Sequence, residues 1–340
     1  MKNYLKDKKI QFTGSMRSRG IRLCVGLICS MSLALSACEQ TERTEETAQR
    51  YIAVICKGSQ HEFWKTVEQG AMDAGEELGV RVSFVAPEDE SQIDVQIEMM
   101  EDAIADGADA IVLAPLDTEK LNDVIEKAAD KDIPVITLDS DVTTNKRQAT
   151  IGTNNINAGA IAARNAAEMM GGSGEVAVIG HVEGTQTAIE RYQGFADTME
   201  DNYKDITVVG VEYCGGSSDV AKQQAEQFLK DYPDIKCFYG LNEGSAVGIA
   251  AAIDEMGLKE SIPVIGFDSS DDEIEYLKQG VIDGMMVQNP YNMGYLGVRN
   301  INKVLDGRKI EEKIETGATY VNVNNLQDED TEWLLYPLGK

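Results

Sequence analysis

Histidine is almost absent from this chain: His61 and His181 are the only two in 340 residues. Two imidazoles cannot build a usual zinc site, and no Cys-x-x-Cys spacing offers a thiolate alternative. Basic residues are scarce as well, 31 Lys and Arg against 58 Asp and Glu, for a formal net charge of −27. Nucleic-acid binding needs a basic stripe and an anionic bilayer surface repels such a charge, so neither is expected as a main partner. Aromatics make up only 6%, yet 43% of the residues are apolar, enough for real cores and too many for wholesale disorder. Catalytic motifs are missing too. The first strand-like run leads into Lys57-Gly58-Ser59-Gln60-His61 and not Gly-x-Gly-x-x-Gly, and no Gly-Lys-Ser/Thr phosphate loop occurs. His61-Glu62 lacks the zinc-protease spacing, and Gly244-Ser245-Ala246-Val247-Gly248 lacks that of a nucleophile elbow. The chain reads as a non-enzyme with no cofactor and no metal, long enough for about two domains.

The longest apolar run, Leu23 to Leu35, is too short to span a bilayer as a stable helix. It follows a stretch with four Lys, three Arg and one Asp among residues 1–37, a net +6 that leaves −33 on the rest. Basic then apolar is the order of an export signal. The run ends in Leu35-Ser36-Ala37-Cys38, which resembles the lipobox of bacterial lipoproteins, with Cys38 as the residue that takes lipid. An ordinary signal peptide with a chance Cys is the alternative. Met16-Arg17-Ser18-Arg19 offers a second start and a signal of more usual length, so Met1 and Met16 both stay open. Residues 1–37 are thus assigned to a lipoprotein signal peptide and 38–50 to a polar tether with no apolar period to fold on. The mature protein is expected to be extracytoplasmic and lipid-anchored to the bacterial cell membrane through Cys38. Cys24 and Cys29 leave with the leader. Cys56, Cys214 and Cys237 remain in strand-like runs as buried free thiols, with a Cys214–Cys237 disulfide as the alternative.

From Tyr51 onward, short apolar runs alternate with helical segments. Tyr51 to Cys56, Val80 to Ala86, Ala110 to Ala114 and Pro134 to Leu138 read as strands, separated by helices over Phe63–Leu78, Ile93–Ala105 and Leu121–Ala129. After residue 150 the rhythm repeats. Helices over Ala158–Met170, Thr187–Met199, Val220–Leu229, Ala246–Met256 and Ile274–Gln279 alternate with strands over Val176–Gly180, Thr207–Tyr213, Cys237–Leu241, Val264–Phe267 and Met285–Gln288. Such alternation predicts an α/β protein made of two doubly wound parallel-sheet lobes with helices on both faces. There is an internal echo as well. Ile133-Pro134-Val135-Ile136-Thr137-Leu138-Asp139 matches Ile262-Pro263-Val264-Ile265-Gly266-Phe267-Asp268 at an offset of 129 residues. Ligands of open α/β sheets sit beyond the carboxyl ends of the strands. Two lobes that each offer an Asp there imply one ligand gripped between them; two helix-capping aspartates are the alternative.

These residues resemble the periplasmic sugar-binding proteins of the ribose-binding type, the substrate-capturing subunits of ABC importers with the type I periplasmic binding fold. The resemblance runs from Tyr51 to about Val323. It rests on Ile52-Ala53-Val54 leading to Phe63-Trp64, on Ile133 to Asp139, on Glu190-Arg191-Tyr192-Gln193-Gly194-Phe195, on Asn242-Glu243, on Val264 to Asp268 and on Gln288. It implies three hinge crossings near Thr153-Asn154, Gln288-Asn289 and Gly317-Ala318. The N-terminal lobe would then hold residues 51–153 and 289–317, and the C-terminal lobe 154–288 and 318–340. It also implies a binding set of Lys57, His61, Phe63 and Trp64 from the first β-α loop, Asp139 and Asp141 from the fourth strand, and Arg191, Asn242, Asp268 and Gln288 from the second lobe. Carboxylates and guanidinium make charge-assisted bonds to hydroxyls, amides both donate and accept, and aromatic faces cover the C–H side of a sugar ring. Arg191 has an alternative as a surface partner of Glu190 or Glu183, and Asp141 has one as a cap or surface charge.

The sequence departs from the ribose-binding pattern at Ser140, where a basic residue is common, at Glu62 in place of a frequent Pro, and at Lys57, often a small residue. A hexose, a polyol or a furanose-like signal is therefore as compatible as ribose. The expected function is capture of a small hydroxylated ligand, foremost a monosaccharide, by a monomer that delivers it to ABC permease subunits. A ligand-sensing subunit that presents the ligand to a membrane receptor or histidine kinase is the alternative.

Overall fold

The computed structural model describes residues 49–336; Cys38 and the leader lie outside the described residues. The chain first forms β1 (Tyr51–Ile55), α1 (Glu62–Leu78), β2 (Arg81–Val85), α2 (Ile93–Ala105), β3 (Ala110–Leu113), α3 (Asn122–Ala129), β4 (Val135–Leu138) and β5 (Ala149–Gly152). It continues through α4 (Asn155–Met169), β6 (Gly174–Gly180), α5 (Gln186–Asn202), β7 (Ile206–Tyr213), α6 (Ser218–Asp231), β8 (Ile235–Gly240), α7 (Glu243–Glu255), β9 (Val264–Phe267), α8 (Asp271–Lys278) and β10 (Gly284–Gln288). It ends with α9 (Pro290–Leu305), β11 (Lys313–Glu315), β12 (Ala318–Val321) and α10 (Glu329–Leu335). Among the described residues, no helix is long and apolar enough to cross a membrane.

Two six-stranded sheets result, in the orders β11-β5-β4-β3-β1-β2 and β12-β10-β9-β8-β6-β7. Each strand of one sheet thus has a counterpart in the other, and β4 and β9 carry the repeated sequence. Every pair is parallel except β10–β12, which is antiparallel and ends the second sheet. The chain passes between the sheets three times: from β5 into α4 and β6, from β10 into α9, and from β11 into β12. Thr153 ties these passes together, its hydroxyl hydrogen-bonded to Gln288 Oε1 at 2.7 Å and to the Gly317 carbonyl at 3.3 Å.

Burial on both faces explains the unbroken apolar strands. Successive side chains of a strand point to opposite faces. Ile52 and Val54 pack with α1 and α9, whereas Ala53 and Ile55 pack with α2 and α3. Each Val or Ile sealed in this way contributes roughly 1.5–3 kcal/mol. The second sheet repeats the scheme, with Val176 and Val178 against α4 and α5, and Ala177 and Ile179 against α6, α7 and α8. Two helix pairs beside the crossings pack backbone to backbone. A Cβ on Gly70 would strike the Tyr291 carbonyl, and one on Gly159 would strike the Arg191 carbonyl, so α1–α9 and α4–α5 approach closely only because glycine stands there. Cys56, Cys214 and Cys237 are all buried free thiols, and burial pushes the Cys214 thiol up to about 11.

Candidate functional site

The two echoing aspartates share an unusual backbone. Asp139 has φ 61° and Asp268 φ 89°, a left-handed region in which non-glycine residues are uncommon and Asn and Asp are among those enriched. Each donates its N–H to the carbonyl of the neighbouring strand, Asp139 to Ile151 at 2.8 Å and Asp268 to Met286 at 2.9 Å. The turn lifts both carboxylates off their strand ends into the space between the sheets. Gly152 makes room for this, because a Cβ there would lie 3.1 Å from the Asp139 carbonyl oxygen.

Around them closes a cavity lined by both lobes. From the first lobe, Lys57 at the end of β1 is fully buried and donates to Asp139 Oδ2 at 2.7 Å and Ser140 Oγ at 2.5 Å. It also reaches Thr187 Oγ1 of the second lobe at 3.3 Å. Trp64 is buried and donates its indole N–H to Glu90 at 2.9 Å, and Phe63 meets its ring edge-on at a centroid distance of 4.8 Å. His61 places Nδ1 3.4 Å from Glu90 and Nε2 2.9 Å from the Gly216 carbonyl. Burial alone would lower its pKa, but the Glu90 hydrogen bond and charge, with Glu243 behind them, raise it to about 10. Glu90 is held well below the usual carboxylate range: burial works against ionisation and the His61 partner overcomes it.

From the second lobe, Arg191 stands on α5 with Nε on Asn155 Oδ1 at 2.9 Å and Nη1 on the Leu241 carbonyl at 2.7 Å. Its guanidinium lies 3.6 Å over the Phe267 ring and 3.9 Å from Asp139 across the cleft. It does not pair with Glu190, which accepts instead from Gln186. Asn242 caps α7 through its side-chain oxygen in a reciprocal box with Ser245. Gln288 donates to Asp268 Oδ1 at 2.7 Å, and the Glu243 N–H donates to the other oxygen at 3.0 Å. Burial raises the Asp268 pKa, with Arg191 opposing it, and burial likewise pushes Glu243 up to about 7.

Nine of the ten binding residues expected from the sequence line this cavity. Asp141 does not. Its carboxylate is held two-handed by Arg147, with Nε at 2.6 Å and Nη2 at 2.7 Å, and also accepts from the Thr137 hydroxyl. A neighbouring guanidinium holds it, outside the cavity lining. Glu90, His181 and Thr187 line the cavity without having been expected. His181 directly follows β6, so the strand-end rule applied to every strand would have found it. It is neutral, since burial pushes its pKa well down, and its Nε2 meets Thr187 at 2.8 Å and Thr185 at 3.0 Å. Glu90 lies in a long loop, where nothing in the sequence marked it. Among the described residues, no His, Cys, Asp and Glu group is arranged to hold a metal ion.

With this geometry in view, comparison with known proteins gives consistent results. The family described as periplasmic binding protein domain matches residues 52–309. A ribose import binding protein from Haemophilus influenzae is 28% identical over 270 residues, 79% of this chain and 90% of that protein. A D-ribose/D-allose-binding protein from Pseudomonas aeruginosa is 27% identical over 291 residues, 83% of this chain and 89% of its own. Among solved structures, a carbohydrate transporter solute-binding protein from Agrobacterium radiobacter, in complex with D-arabinose, superposes with a TM-score of 0.83 at 32% identity and covers 85% of this chain and 99% of that one. An ABC transporter solute-binding protein from Agrobacterium vitis with bound D-fucose gives 0.82 at 34% identity, over 84% of this chain and all of that one (100%).

Proposed function

The chain belongs to the periplasmic binding protein domain family, and from that premise we propose that it captures a neutral, polyhydroxylated small molecule, foremost a monosaccharide, and hands it to the permease of an ABC importer. The observation that carries this reading is the cavity whose polar groups come from strand ends of both lobes. Lys57, Arg191 and protonated His61 face Asp139, Asp268 and Glu90, so positive and negative groups are balanced and suit an uncharged ligand. A sugar offers hydroxyls to these groups and C–H faces to Phe63 and Trp64. Contacts made to both lobes at once favour the closed arrangement, which is how capture is achieved. The sugars bound in the similar structures support the same ligand class.

A thermal-shift panel of neutral pentoses, hexoses and polyols tests the reading. A true ligand at about 100 times its dissociation constant adds roughly 2.7 kcal/mol of stability, and the midpoint rises accordingly. No shift with any neutral sugar or polyol at millimolar concentration would contradict it.

The same proposal extends to the N-terminus, where the basic leader, the apolar run and Leu35-Ser36-Ala37-Cys38 motivate lipid anchoring at Cys38. Cys38→Ser is expected to release the protein from membranes into the soluble fraction, and retention on washed membranes would argue against the anchor.

A further inference from the structure

Outside the cavity, the lobes exchange carboxylates at the starts of their helices. α1 has no side-chain cap of its own: its N-cap residue is His61, whose ring turns to the Gly216 carbonyl of the second lobe. A helix start leaves N–H groups without intrahelical partners and carries a partial positive charge. Glu243, the first residue of α7, supplies the missing acceptor from the opposite lobe. Its Oε1 accepts the Glu62 N–H at 3.2 Å and its Oε2 the Phe63 N–H at 3.3 Å. Glu62 returns the contact, its Oε2 accepting the Asp271 N–H at the start of α8 at 3.0 Å. α8 already has its own capping box from Ser270 and Glu273, so the Glu62 bond joins the lobes more than it supports that helix. Neither Glu62 nor Glu243 lines the ligand cavity; both line an adjoining depression that shares Phe63, Asp268 and Gln288 with it.

Each of these three bonds runs from one lobe to the other, so each is lost to water when the cleft opens. We propose that Glu62 and Glu243 are positioning residues forming a latch that favours the closed arrangement already without ligand and raises affinity for every ligand by a common factor. The proposal rests on the capture reading above. Apparent affinity scales with the fraction of molecules in the binding-competent state, and a latch that touches no ligand changes only that fraction.

Two measurements test it on the parent, Glu62→Ala, Glu243→Ala and the milder Glu62→Gln and Glu243→Gln, with Asp272→Ala as a surface control. In the first, the dissociation constants of two different sugars from the thermal panel are compared. Each alanine variant is expected to weaken both by the same factor, roughly three- to thirtyfold, while the glutamines, which keep an oxygen acceptor, recover part of the loss. Unchanged affinity, or a factor that differs between the two sugars, overturns the latch. In the second, small-angle scattering of the unliganded proteins should give a larger radius of gyration for the alanine variants than for the parent. An unchanged radius overturns the latch too. The scattering arm needs no ligand, so it decides on the latch even if no sugar binds and the capture reading fails. Should an alanine variant not fold, the glutamine variants carry both measurements.

Discussion

Both nitrogens of the His61 ring face acceptors, the Glu90 carboxylate and the Gly216 carbonyl, so the ring holds both protons while nearly sealed from water. Its pKa rises from 6.5 to about 10 in the folded protein. A raised value means a stabilising contribution that is fully present below about pH 6.5 and is lost as pH climbs through about 10. Glu90, held low, contributes above its ordinary value of 4.5 and loses that contribution only as pH falls through its depressed one. The thermal midpoint of the unliganded protein is therefore expected to decline between pH 7 and 10. His61→Gln leaves a buried carboxylate without its cation, which costs about 3 kcal/mol near pH 6, and should flatten that decline. A midpoint that falls equally steeply in the variant would contradict the charged His61. The residue scale also shows where sequence reading stops. Asp141 and Asp139 look alike in the sequence, two residues apart, but Arg147 folds back onto one and leaves the other to Lys57 and the cleft. That choice depends on a loop conformation, not on a pattern.

At the scale of elements, the parallel strands buried on both faces were legible because their burial writes continuous Val, Ile and Ala runs. The edges were not. β5, β11 and β12 are three or four residues long and are defined by the crossings between sheets and not by an apolar run of their own. Several helices also begin earlier than their apolar period suggests. α7 starts at Glu243 and not near Ala246 because Asn242 and Ser245 cap each other there, and α4 starts at Asn155 under the Asn154 cap. Caps extend helices into polar sequence, where periodicity is silent. The repeat ending in Asp139 and Asp268 was readable as sequence, and it marks both positive-φ turns that point carboxylates into the cavity. Non-local partners such as Glu90 and Thr187 were not readable, since only the folded loops bring them near Trp64 and Lys57.

For the whole molecule, the account rests on two lobes acting on one ligand. Thr153 links the three crossings, and through Gln288 it reaches Asp268, so the hinge and one wall of the cavity form one hydrogen-bonded chain. Asp139 stands on the opposite wall beside Lys57. If both carboxylates accept hydroxyls from the same molecule, loss of either charge leaves a buried hydroxyl poorly paired, at roughly 1.5–3 kcal/mol each. Asparagine is the informative replacement, because it keeps the shape, tolerates positive φ and still offers Lys57 an oxygen. Calorimetric titration of Asp139→Asn and Asp268→Asn with the sugar found by screening is the most direct measurement. Each is expected to bind about ten- to a hundredfold more weakly than the parent, with Asp272→Asn unchanged. If either binds like the parent, that aspartate merely turns the chain at its strand end, and the claim that both lobes grip one ligand through this pair is wrong.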